Sequence, residues 1–90
     1  MKFDWNNDKN EKLKKERGIS FEELIYSGKL IGRIKNRSPL HPNQFELIII
    51  YKDYCYSVPY VVQENGTLFL KTAHKDRKLD KTYNNYNNNK

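Results

Sequence analysis

Phe45-Glu-Leu-Ile-Ile-Ile-Tyr51, Lys52-Asp53 and Tyr54-Cys-Tyr-Ser-Val-Pro-Tyr-Val-Val62 decide the fold of this chain. The first run is β-branched and almost continuously apolar, so it reads as a strand covered on both faces. Lys52-Asp53 is a two-residue turn, and Tyr54 to Val62 returns beside the first run. Asn65-Gly66 is the strongest hairpin signal in the chain, and it opens a last strand from Thr67 to Lys71 or Thr72. Pro59 conflicts with a central strand, because proline avoids sheet interiors. A bulge, or an edge position for that half of the strand, resolves the conflict. Upstream, Leu30 to Asn36 alternates in part, with Leu30, Gly32, Ile34 and Asn36 on one face. Ser38 to Asn43 is a loop with two prolines. Short connections make these four strands antiparallel neighbours.

Two helices precede the strands. Residues 6–17 have Asn6 or Asn7 as N-cap and Gly18 at C′. Apart from Leu13 this helix lacks an apolar stripe, so Phe3 and Trp5 are expected to anchor it, and Glu11 with Lys15 adds an i,i+4 pair. Ser20-Phe-Glu-Glu23 is a capping box that opens a second helix over about residues 21–28. Phe21, Leu24 and Ile25 supply its apolar face. Residues 75–83 form a short terminal helix with Leu79 and Tyr83 at i,i+4. Helices followed by a meander predict an α+β domain: two N-terminal helices packed on a four-stranded antiparallel sheet, in two layers. That domain spans 1–83, and the Asn-rich segment 84–90 is expected to be a disordered tail.

Composition narrows the function. Ninety residues make one domain. Cys55 is the one cysteine, so no intrachain disulfide forms, and its apolar setting marks it as a small buried hydrophobe. Two histidines and one cysteine argue against a structural zinc site. Gly-rich phosphate loops, CxxC, HExxH and GxSxG are absent, and the chain is too short for a dinucleotide fold, so no cofactor is expected. The N-terminus lacks the apolar core of a signal peptide and no stretch has the length of a membrane span, so a cytoplasmic protein without membrane attachment is expected.

The net charge of +6 is uneven: residues 1–20 carry +2, residues 71–90 carry +4, and the middle is balanced. Such a distribution favours an acidic partner. The chemistry is densest in Leu68-Phe-Leu-Lys-Thr-Ala-His-Lys-Asp-Arg-Lys78, where a short apolar run delivers Lys71, His74, Lys75, Arg77 and Lys78. This segment is either a solvated helix start or a phosphate site. RNA suits the second reading, because its 2′-OH attacks the adjacent phosphate without metal or covalent nucleophile. Lys71, Arg77 and Lys78 supply charge, and His74, or a lysine with a perturbed pKa, moves protons. Arg33, Lys35 and Arg37 form a second basic row, expected on one face for RNA binding together with Lys75. His41, between prolines, reads as a loop residue.

Phe3-Asp-Trp-Asn-Asn-Asp-Lys-Asn10, Leu13-Lys-Lys and Arg17-Gly-Ile-Ser-Phe-Glu-Glu23 resemble the opening of BrnT-like toxins of bacterial type II toxin–antitoxin systems. Pro42-Asn-Gln44, Tyr56-Ser-Val-Pro-Tyr60, Phe69-Leu-Lys-Thr72, Arg77-Lys78 and Tyr83 are similar to one branch of that family. The resemblance covers about residues 2–83. It implies a RelE-related fold, a metal-independent endoribonuclease that inhibits translation, and a hetero-oligomer with a cognate ribbon-helix-helix or helix-turn-helix antitoxin. It points to Lys71, Arg77, Lys78 and Tyr83 as site positions. His74 falls where that branch usually has an apolar residue, and Lys75-Asp76 replaces its usual Pro-Ser. The alternative is a non-catalytic basic module that binds an acidic protein or nucleic acid.

Overall fold

The central apolar run forms a hairpin around which the other elements assemble. The computed structural model describes residues 1–40 and 44–84. In chain order these are β1 (Phe3–Trp5), α1 (Asn7–Arg17), α2 (Phe21–Ser27), β2 (Lys29–Lys35), β3 (Phe45–Tyr51), β4 (Tyr54–Val62), β5 (Leu68–Leu70), β6 (His74–Lys75) and α3 (Arg77–Leu79). A π-helical turn, Asp80–Asn84, continues α3. Lys52 and Asp53 join β3 to β4 with φ of 49° and 61°, and two positive φ values in succession define the turn whose twist suits a tight hairpin. At the next hairpin Gly66 (φ 86°) takes the left-handed position, and its N–H donates to Gln63 O at 2.9 Å.

The sheet order is β1-β5-β4-β3-β2, and β6 also pairs with β4. The expected four-stranded antiparallel sheet is therefore larger and mixed. Phe3–Trp5 is a strand, parallel to β5 through Phe3↔Leu68 and Trp5↔Leu70. Pro59 meets the sequence expectation of a bulge. Between the pairs Tyr60↔Leu70 and Ser57↔His74, Val58 and Pro59 face Lys71, Thr72 and Ala73, which leaves one extra residue on that side. The Pro59 carbonyl accepts from Lys71 N–H at 2.8 Å, so the proline contributes its acceptor where it has no donor. A second irregularity lies between Leu30 and Gly32. It separates Leu30 from the face expected for it, and Ile31 joins Ile34 against the cluster of Ile48, Cys55 and Leu79 instead.

Strand alternation creates two cores. On one face Leu47, Ile49, Tyr56, Val58, Tyr60 and Leu70 bury against Leu13, Phe21 and Leu24 of the helices. Full burial of a side chain such as Phe21 or Leu24 contributes roughly 1.5–3 kcal/mol. On the other face Ile48 and Cys55 meet Leu79, with Tyr83, Ile31, Ile34 and Ile50 around them. The C-terminal helix thus covers the second face, which makes three layers where two are expected.

The caps follow the sequence. Asn6 Oδ1 accepts from Lys9 N–H at 3.0 Å, Gly18 closes α1 with φ 66°, and Ser20 Oγ accepts from Glu23 N–H at 3.1 Å. Trp5 lies 5.6 Å from Phe21 between ring centroids, in line with its expected anchoring role. A polar clasp completes the attachment of α1. Buried Asn10 donates Nδ2–H to Glu22 Oε1 at 2.8 Å and accepts Phe21 N–H on Oδ1 at 2.9 Å. Glu11 pairs with Lys14 at 3.0 Å, not with Lys15. Asn84, placed by sequence in the tail, is buried and donates to Asp53 O at 2.8 Å and Asp80 Oδ1 at 2.9 Å. His41 and residues 85–90 of the expected tail lie outside the described residues. Among the described residues no helix is long and apolar enough to cross a membrane.

Candidate functional site

The bulge opposite Pro59 positions the site. After Leu70 only the Lys71 N–H bond to Pro59 continues the pairing with β4, and the chain leaves the ladder until it returns as β6. Asp76 then caps α3, its Oδ1 accepting Leu79 N–H at 3.0 Å. This path sets His74, at the end of the sheet, between two clefts. One, of about 440 Å³, is lined by Arg37, Ser38, Glu46, Pro59, His74 and Lys78 among others. The other, of about 370 Å³, is lined by Arg17, Ile19, Tyr56, His74 and Lys75.

Arg37 is the most constrained cation here. Its Nε–H donates to Glu46 Oε2 at 3.3 Å, and Nη2 donates to Glu46 Oε1 at 2.9 Å and to Asp76 Oδ2 at 2.7 Å. These bonds use Nε and Nη2 and leave the Nη1 hydrogens without a partner among the described residues. Glu46 is 3% exposed and also accepts from the Ser57 hydroxyl. Burial pushes the Glu46 carboxyl up, but hydrogen bonds from Arg37 and Ser57 and the Arg37 charge outweigh it, and the net shift is down. Asp76 behaves alike: burial raises it, while Arg37, the Leu79 N–H and the nearby His74 bring it below its usual range. The hydrogen bonds it donates to Glu46 and then to Asp76 hold Arg37 firmly protonated.

The structure gathers some of the sequence candidates and separates others. His74 and Lys78 share a cleft with Arg37. Lys75 lines the neighbouring cleft, its Nζ 5.2 Å from the Tyr54 ring centroid. Arg77 is exposed on the first turn of α3, and Lys71 is exposed with its Nζ 5.5 Å from the Phe69 ring centroid. Neither is among the residues that line these clefts. Tyr83 packs half-buried on the Ile48–Cys55–Leu79 cluster. The basic row does not lie on one face as expected. Arg33 and Lys35 register with Leu47 and Phe45 on the helix-covered face, whereas Arg37 lies beyond the end of β2 and reaches Glu46 and Asp76 on the opposite face. The Asn36 side chain turns the chain there, accepting Ser38 N–H at 2.7 Å.

Sequence reasoning missed Glu46, Ser57, Asp76 and Arg17. The signal for Glu46 was present: it is the one charge in Phe45–Tyr51, and a lone carboxylate in a buried strand needs a partner. Arg17 ends α1 and donates to the Ala73 carbonyl, inside the bulge. Around His74, the cleft-lining cations Arg17, Arg37, Lys75 and Lys78 outnumber Glu46 and Asp76, so the site favours an anion. An imidazole beside an ammonium and a fixed guanidinium has the parts for proton transfer and for stabilising a charged phosphorane. Comparison with protein-family models, curated proteins and solved structures finds no significant match.

Proposed function

We propose that this protein is the toxin of a bacterial type II toxin–antitoxin system, a cytoplasmic, metal-independent endoribonuclease of RelE-related fold that is neutralised in a complex with a cognate antitoxin. The observation that carries the reading is the cleft where His74, Lys78 and Arg37 converge. The resemblance of residues 3–23 to BrnT-like toxins supports it, as does the order of a short strand, two helices and then the remaining strands. In the proposed reaction the ribose 2′-OH attacks the adjacent phosphorus, the P–O5′ bond breaks, and a 2′,3′-cyclic phosphate and a 5′-hydroxyl result. His74 moves the proton between the 2′ and 5′ oxygens. Lys78 and the Arg37 Nη1 donors hold the non-bridging oxygens, while Lys75, Arg77, Lys71 and Arg17 steer the polyanion.

A second reading, a non-catalytic module for nucleic acid or an acidic protein, is favoured by one observation: Glu46 and Asp76 already occupy two edges of the Arg37 fork. Two assays separate the readings. The first is induction of the chain alone in a bacterial host. The second is incubation of purified protein and chelator with end-labelled RNA. The toxin reading expects growth arrest and cyclic-phosphate-terminated fragments. Salt-sensitive RNA binding with the RNA left intact supports the binding module and sinks the nuclease.

A further inference from the structure

The edge of the sheet farthest from His74 carries a second binding surface. β2 pairs with β3 alone, and its outer edge faces no strand among the described residues. Asn36 N–H donates to Gln44 O at 2.8 Å, which fixes the phase of the ladder. Antiparallel pairs alternate between bonded and non-bonded positions. Ile34 and Gly32 therefore turn their backbone groups toward β3, and Arg33 and Lys35 turn theirs outward. An open edge of this kind is a template for an incoming strand.

The side chains state what kind of strand fits. Lys29, Arg33 and Lys35 are exposed, and none has an ion-pair partner among the described residues. The Arg33 guanidinium is held by neutral groups only: Nη1 donates to the Tyr60 hydroxyl at 3.3 Å, and the guanidinium carbon lies 5.5 Å from the Phe45 ring centroid. Beside it is a cleft of about 240 Å³ whose walls include Met1, Leu30, Leu47, Tyr60 and Leu68. Met1 and Leu30 stand exposed at its rim. The surface thus offers outward backbone bonds, the cations Arg33 and Lys35 at alternate positions on one face, and a small apolar cleft on that face, while Lys29, paired with Ile50, lies on the other.

We propose that the β2 edge docks an extended segment of a partner protein that carries carboxylates at alternate positions, opposite Arg33 and Lys35, and an apolar side chain for the adjoining cleft. Charge selects this occupant. A second copy of β2 sets the same cations against each other, and like charges on facing strands repel. The surface is separate from the His74 clefts, and its test does not read RNA cleavage, so either conclusion can fail alone.

The probe is an acetylated, amidated peptide, Thr-Leu-Thr-Glu-Thr-Glu-Thr, whose alternation puts leucine and both glutamates on one face. It is titrated into ¹⁵N-labelled full-length protein, with amide shifts and hydrogen exchange as the readout. The expected result is saturable shifts along β2 and slowed exchange at the Arg33 and Lys35 amides. Binding weakens about tenfold or more when both glutamates are replaced by lysine, since two exposed pairs pass from attraction to repulsion. The Arg33→Glu, Lys35→Glu double variant, with an otherwise unchanged spectrum, reverses the preference and binds the lysine peptide. Three outcomes overturn the proposal: no saturable shift at β2; shifts at β2 that depend on protein concentration without peptide, which marks a second copy on the edge; or a short RNA oligonucleotide that perturbs Arg33 and Lys35 while the peptide does not.

Discussion

Replacing Arg37 with alanine removes the cation that a buried carboxylate, Glu46, and a partly buried one, Asp76, share. In the native protein Arg37 grips Glu46 with two hydrogen bonds and Asp76 with a third. Glu46 is a β3 residue and Asp76 caps α3, so the guanidinium joins the second face of the sheet to the helix that covers it. Removing one partner of a fully buried pair costs about 3–5 kcal/mol. The Arg37 side chain is 47% exposed, and Glu46 keeps the Ser57 hydroxyl, so the expected loss is nearer ~2 kcal/mol at neutral pH. For a domain of this size that lowers Tm by roughly 8–16 °C. The pH dependence is the sharper signature. Both carboxyls are depressed in the folded protein, so their contribution is complete above the unfolded carboxylate value of ~4 and disappears as pH falls through the folded values. In the variant, burial without Arg37 pushes both carboxyls upward. The stability gap between wild type and Arg37→Ala is therefore widest near pH 7 and narrows below about pH 4. Urea unfolding at several pH values measures it. A gap below about 0.5 kcal/mol at pH 7, the range of ordinary surface substitutions, refutes the reasoning. So does a gap that stays constant into acid.

Three further predictions concern the scaffold. Gly28→Ala places a Cβ 2.5 Å from Ile49 Cγ2 and against the Leu24 carbonyl, so it destabilises by about 1–3 kcal/mol through overpacking; thermal unfolding reads this, and an unchanged Tm contradicts it. Asn10→Ala strips the buried Phe21 N–H of its acceptor and costs about 1–3 kcal/mol; faster amide exchange at Phe21 marks the loss as local to the α1–α2 clasp. The Cys55 thiol is fully buried, and burial, with Asp80 and Asp76 adding to it, pushes it up to about 11. A thiol reagent at pH 8 should therefore label Cys55 only at the rate of unfolding, and rapid labelling under native conditions disproves that placement.

Much of the fold was readable because its signals are local. The caps at Asn6 and Ser20, the left-handed Gly18, and the Lys52-Asp53 and Gly66 turns each depend on a few adjacent residues. β1 was not readable, since three residues show no period and are a strand only because Leu68–Leu70 lies alongside. Pro59 announced an irregularity, but the sequence does not say that the partner strand carries the extra residue. At the site, the density of charge near residue 74 was visible, and so was the candidacy of His74 and Lys78. The arrangement of Arg37 was not. Alternation places it with Arg33 and Lys35, and only the turn at Asn36 sends it to the other face. Glu46 and Asp76 lie far apart in sequence, and tertiary structure alone brings both to one guanidinium.

The most direct test of the RNA reading is the rate of cleavage of a single-stranded RNA by wild type, His74→Ala and Lys78→Ala, each shown to be folded, in the presence of chelator. The account predicts cleavage by wild type with 2′,3′-cyclic phosphate ends, and a fall of about 10²-fold or more on loss of the proton-transfer group at His74, with a smaller fall for Lys78→Ala. Intact RNA with wild type, or undiminished cleavage by both variants, contradicts it.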